Sequence, residues 1–328
     1  MADRKLRPLF QMRRTRDIIF DGLGLFVDRF RQLLKASWPA ALIFGIVWSI
    51  MVNTNGQLQL SAAAMLHQGV QSGIGVDWAA FDIVLLVQTA LLLLYAAASA
   101  LIVSHDVELF RRHIADEPLP AAKWVGSWNW PLVWCTAKCM LWMLLIDVIV
   151  GVVSGGVVLL MLRMFSPMAA VAGTLFLALF VMLLMLPLYY TIMDYLTGSN
   201  NSFVRALKEG YPVGLHYYGK VFAVTITSGL LFLLLILITQ TPSFILMTAN
   251  QQALVGQMMG DEVAMPESMF WVSWLFPVFT GFIMAYLCLA MMMPYYYLYG
   301  HIVASQKNRK PEFENQIIDE KADTIHRP

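Results

Sequence analysis

The chain has 328 residues, of which 59% are hydrophobic and 13% charged, far from the usual globular mix of about 45–50% apolar and about 25% charged. A net charge of +1 excludes the concentrated basic face that nucleic-acid binding needs. Three cysteines, Cys135, Cys139 and Cys288, fall in apolar runs without CxxC spacing and imply neither a disulfide framework nor a zinc site.

The charges are confined to a few segments. No Asp, Glu, Lys or Arg occurs between Arg163 and Asp194, between Lys220 and Asp261, or between Glu267 and His301. Each gap exceeds the roughly 20 residues that a helix needs to cross a bilayer, so the expected fold is an all-α integral membrane bundle.

Residues 1–15 are basic and polar, but no apolar run with a small-residue cleavage site follows, and no signal peptide is predicted. Ile19, Leu23, Phe26, Phe30 and Leu33 then recur at steps of four and three, with Arg16, Asp21, Asp28, Arg31 and Lys35 off that stripe. This predicts an amphipathic helix suited to the headgroup plane, the alternative being a helix packed on the protein's own cytoplasmic loops. A first span is predicted over 38–52, opened by Trp38 and with Pro39 in its first turn. A polar, Gly- and Gln-rich loop over 53–77 and a second span over 79–103 follow.

After them the stretch HDVELFRRHIADEPLP repeats the amphipathic pattern through Val107, Phe110 and Ile114. A third span runs over 131–162 and a fourth over 169–193, joined by the turn MFSPM. The segment SFVRALKEG leads through YYGK into a fifth span, a loop over 241–268 precedes a sixth over 271–298, and residues 303–328 have the composition of a disordered tail.

Lysines and arginines set the orientation. Nine lie in the segment through Lys35, three after span two, three after span four and five in the tail, against Arg163 alone on the other side. Both termini are therefore expected in the cytoplasm.

Two features suggest internal repetition. The SWP of 37–39 and the NWP of 129–131 each open an odd-numbered span after a charged segment, and PLYYTIMDY from Pro187 resembles PYYYLYGHI from Pro294, aligning Asp194 with His301. A period near 90 residues indicates three helical hairpins, over about 37–104, 130–194 and 219–301, arranged as parallel repeats.

The pattern SFVRALKEG…YYGKVFAVTITSGLLFLLLIL, a surface helix, then Trp or Tyr, then a long span, resembles uncharacterised bacterial multipass membrane proteins related to the membrane domain of glycerophosphodiester phosphodiesterases. That resemblance implies a bacterial inner-membrane protein. It transfers no catalytic residue, and no soluble phosphodiesterase domain follows the sixth span.

Asp147 is the sharpest chemical signal. It falls near the middle of span three, where an ionised carboxylate costs at least about 2.5 kcal/mol, and is expected to face protein or water. Gly151, Ser154 and Gly155 follow at i+4, i+7 and i+8 and form one narrow polar face, either a protonatable or substrate-contacting site or a helix–helix tie. Lys138 lies half a helical rotation away and is expected to reach the interface.

The scattered histidines do not support an iron or other metal site, and Ser154 has no histidine in another span to make a protease pair. Methionines are expected as apolar filler. Asp77, Asp261, Glu262 and Glu267 lie on the acidic side, and the tyrosines at 189–190 and 295–297 at an aromatic belt.

Arg29, Arg31, Lys35, Arg111, Arg112, Arg205 and Lys208 are candidate interfacial contacts. No cofactor is implied. The expectation is a non-enzymatic accessory or scaffold protein that docks a cytoplasmic partner or senses the bilayer, the alternative a transporter or lipid-handling protein using Asp147.

Overall fold

The computed structural model describes residues 8–72, 78–115, 129–164, 167–198, 202–258 and 267–325. Side chains are described for 8–56, 83–115 and most of the remainder up to residue 308. The described residues form α1 (Thr15–Ser72), α2 (Trp78–Ile114), α3 (Trp130–Met164), α4 (Pro167–Met185), α5 (Leu188–Thr197), α6 (Phe203–His216), α7 (Tyr218–Met258) and α8 (Glu267–Ile325). Among them no strand occurs, and six helical stretches are long and apolar enough to cross a membrane, the pattern of a multi-pass membrane protein.

α1 and α8 run antiparallel and pack along much of their length. Their axes approach where side chains are absent: a Cβ placed on Gly45 would lie 2.5 Å from the Val278 carbonyl, and one on Gly281 would lie 2.9 Å from the Gly45 Cα. Polar groups then knit the seam. The Ser49 hydroxyl donates to the Trp274 carbonyl at 2.7 Å and the Asn53 amide to the Ser273 carbonyl at 3.2 Å. Such small residues and cross-helix hydrogen bonds hold helices together where water supplies no hydrophobic drive.

The continuity of α1 revises several sequence expectations. No separate surface helix precedes the first span. At about 1.5 Å per residue, the 58 residues of α1 extend about 87 Å, well beyond the roughly 30 Å hydrocarbon core. The stripe from Ile19 to Leu33 is the first third of this helix, and Ile18, Ile19, Leu25 and Leu33 are buried against the protein itself. Of the stripe, Ile19 and Leu33 are buried, Leu23 and Phe26 are partly buried against the core, and Phe30 stays exposed. Pro39 sits inside the helix, which forgoes its bond to the Lys35 carbonyl.

The expected loop at 53–77 is helical to Ser72, where the Ala-rich run at 62–64 favours helix, and residues 73–77 lie outside the described set. The expected loop at 241–268 is helical to Met258, as part of α7. Likewise, the second amphipathic segment is the end of α2, with Val107 and Phe110 fully buried. The α8 backbone is helical to Ile325, within the stretch whose composition suggests disorder.

Span four breaks at Leu186–Pro187, separating α4 from α5. Pro187 brings no N–H for the Leu183 carbonyl. The Tyr218 hydroxyl donates to that carbonyl at 3.2 Å and the Tyr211 hydroxyl to the Leu184 carbonyl at 3.1 Å, so the break is closed from α6 and α7. Burial, then the neighbouring Tyr218, raises the Tyr211 phenol above its usual range and keeps it a donor.

The two prolines of the matched segments are met alike: Gly214 of α6 lies against Pro187 and Gly22 of α1 against Pro294. Tyr189 stacks on Tyr295 at 4.3 Å, so these segments also touch each other.

Replacing Gly45 with Ala should force α1 from α8 and lower stability by about 1–3 kcal/mol, read by thermal unfolding in detergent. Gly24→Ala, where a Cβ meets nothing within 4 Å, should be neutral or stabilising by up to about 1 kcal/mol. Equal effects would remove the close-approach argument.

Candidate functional site

α3 holds the polar face. Its first half is built into the bundle: Thr136 and Cys139 are buried, and Trp142 stacks on Phe203 of α6 at 5.8 Å. Met143 and Ile146 still pack against the core, and beyond Ile146 the helix leaves the bundle. No residue of α3's most apolar stretch is buried, against 44% of the corresponding stretch of α1, and α4 packs on α3 alone apart from marginal contacts.

Asp147, Gly151 and Gly155 lie on the exposed surface of this arm, and Ser154 is half-buried. The Ser154 hydroxyl turns back to the Gly151 carbonyl at 3.2 Å, while a Cβ on Gly151 or Gly155 would meet no atom. Asp147, expected to face protein or water, is exposed on this surface. Among the described residues it accepts no hydrogen bond, and the Tyr189 hydroxyl lies within electrostatic reach. The four residues share one open face and enclose no cavity. The helix-tie alternative finds no second helix within the chain.

Lys138 is exposed, with its ammonium 5.6 Å from the Trp134 ring centroid. This is the geometry of a cation–π contact at an interface. Met293 is fully buried and Met291 and Met292 pack beside it, so these thioethers fill the core. Two cavities, one lined by Arg14, Arg16, Asp17, Phe20 and Asp21 and the other between α6 and α8, lie at the end of the bundle that carries Arg13 and His301. Neither is lined by Asp147.

The candidate interfacial cations divide. Arg31, Lys35, Arg205 and Lys208 are exposed, Arg205 pairing with Glu209 one turn on. Arg29 is half-buried and donates to Gln32 at 3.2 Å. Arg111 is committed inside the protein, where it donates to the Leu196 carbonyl at 2.9 Å and so caps the end of α5 from α2. Arg112 pairs with Glu108 at 2.9 Å.

Sequence reasoning passed over two groups. Arg13 is buried and ties the chain's start to α8: it pairs with Asp21 at 2.9 Å, donates to the Leu9 and Pro8 carbonyls, and lies 4.8 Å from the Tyr297 ring centroid. Its backbone N–H donates to His301 Nδ1 at 2.9 Å. The alignment of His301 with Asp194 pointed to the position but not to the partner.

The second is Asp106. It is fully buried on α2, and neither carboxyl oxygen has a hydrogen-bond partner among the described residues. Its sequence signal was the His-Asp pair at 105–106. Comparison with family models, with curated proteins and with solved structures gave no match.

A buried polar group without a partner costs about 1–3 kcal/mol. Asp106→Leu, which keeps the branched outline with bulkier methyls, should therefore stabilise the protein by up to about that amount, less the cost of fitting the methyls, measured as a raised unfolding temperature. A fall in that temperature would show that Asp106 is satisfied in the membrane.

Proposed function

We propose that the chain is a non-enzymatic accessory or scaffold protein of the bacterial inner membrane, with its termini in the cytoplasm, and that the α3–α4 arm is where it docks its partner. The observation that carries this is Asp147, exposed near the middle of a span on an arm with little other packing. Facing lipid, that carboxylate would cost about 2.5–3.5 kcal/mol. A second helix laid over Gly151 and Gly155 would cover it at close range, because neither glycine holds the partner off.

The partner's chemistry follows from charge. A transmembrane helix with a Lys, Arg or hydrogen-bond donor at matching depth would complete the site. A second copy of this chain would offer no such cation, since Lys138 and Arg163 lie nearer the two ends of α3.

The three-hairpin plan supports the same view: the packing of Gly22 on Pro294 and Gly214 on Pro187 fits repeats that each rest on a neighbour. The resemblance to the membrane domain of glycerophosphodiester phosphodiesterases, a module that accompanies other domains, is compatible with a docking role. The exposed Arg31, Lys35, Arg205 and Lys208 supply an added cytoplasmic contact surface.

Gly151→Cys, crosslinked in native membranes and identified by mass spectrometry, should join the chain to one other membrane protein. Asp147→Leu should cut that yield about fivefold or more without lowering the chain's own stability. Recovery of the chain uncrosslinked, or an Asp147→Leu yield equal to wild type, would count against the docking role.

A further inference from the structure

A groove of about 720 Å³ runs between α6 and the end of α8, within the roughly 300–1,000 Å³ of ordinary ligand sites. Val213, Tyr217 and Val303 are partly buried against the core below and form its apolar floor. Pro212 closes one side. His216 and Lys307 stand exposed at its rim, and among the described residues no carboxylate lines it.

Its position narrows the occupant. The apolar stretch of α7 begins at Tyr218, and the run of α8 without Asp, Glu, Lys or Arg that follows Glu267 ends at Lys307, so the groove lies at the same end of both spans. A ligand there meets an apolar trough bordered by the Lys307 ammonium and the His216 ring. The lipids of that leaflet have this layout, an acyl chain below a phosphate, and basic pockets between spans are suited to anionic headgroups. A free phosphate would leave the floor unfilled.

We propose that this groove holds one anionic phospholipid of the adjoining leaflet, its phosphate on Lys307 and His216 and an acyl chain over Val213, Tyr217 and Val303. The lipid bridges α6, whose Gly214 rests on Pro187, to α8, whose Pro294 carries Gly22. It thereby links the two proline contacts that join α1, α5, α6 and α8 at this end. The site is independent of the Asp147 face.

Native mass spectrometry of the purified full chain, titrated with phosphatidylglycerol and with phosphatidylethanolamine of the same chains, tests this. The expected result is one phosphatidylglycerol retained in preference to phosphatidylethanolamine, and no displacement by millimolar inorganic phosphate. Lys307→Gln should weaken that binding about fivefold, the effect of one basic side chain near a membrane surface. Gln306→Trp should fill the groove from its rim and remove the bound lipid, with thermal unfolding confirming that the variant is folded. If it does not fold, Lys307→Gln decides. Equal retention of the two lipids, displacement by phosphate alone, or unchanged binding in the folded variants would overturn the proposal.

Discussion

The close antiparallel contact between the first and last helices is the constraint on which the rest of this structure depends. α1 and α8 meet where Gly45 and Gly281 remove the side chains from both surfaces. In a membrane the apolar flanks of two helices gain little by leaving lipid, so the contact must come from close packing and hydrogen bonds. Ser49, Asn53, Trp274 and Ser273 supply them at one end. Arg13, Asp21, His301 and Tyr297 supply them at the other. With its two ends joined, the chain must place its remaining helices around that pair. α2 and α7 pack against it, while α4 packs mainly on α3 and meets α6 and α7 at its end through Tyr211 and Tyr218.

Polar groups are handled differently in different parts of this frame. Where a backbone bond is lost at Pro187, two tyrosine hydroxyls from α6 and α7 accept the task of satisfying the carbonyls of Leu183 and Leu184. Buried Ser and Thr hydroxyls turn back to the preceding turn, as Thr136 does to Leu132 and Ser228 to Val224. Arg111 caps α5. Against that pattern Asp106 and Asp147 stand out, one fully buried without a hydrogen bond and one exposed on an apolar arm. The first strains the bundle from within. The second leaves a carboxylate on the open face of the arm.

The number and apolar character of the spans were legible, because a charge-free stretch of that length has few alternatives to crossing a bilayer. The stripe from Ile19 to Leu33 was legible as a helical face, but its destination was not: periodicity shows that a face is apolar without showing whether lipid or protein covers it. The same ambiguity hid the loops. Residues 53–72 and 241–258 are polar enough to suggest coil, yet each continues a helix already started, and extending a helix is far easier than nucleating one. Asp147 was singled out as the odd residue of its span, while its exposed position depends on how α3 leaves the bundle after Ile146.

What the sequence by itself determined is therefore the set of apolar helices, their approximate limits and the rarity of the residues that break them, since these follow from the local cost of placing charges and unpaired backbone groups in hydrocarbon. The tertiary structure alone decided which faces meet. Gly22 and Gly214 acquire their meaning only beside Pro294 and Pro187, and Arg13 only beside Asp21 and His301. Close packing joins residues hundreds of positions apart, and no local pattern in the chain records which partner a small or charged side chain will find.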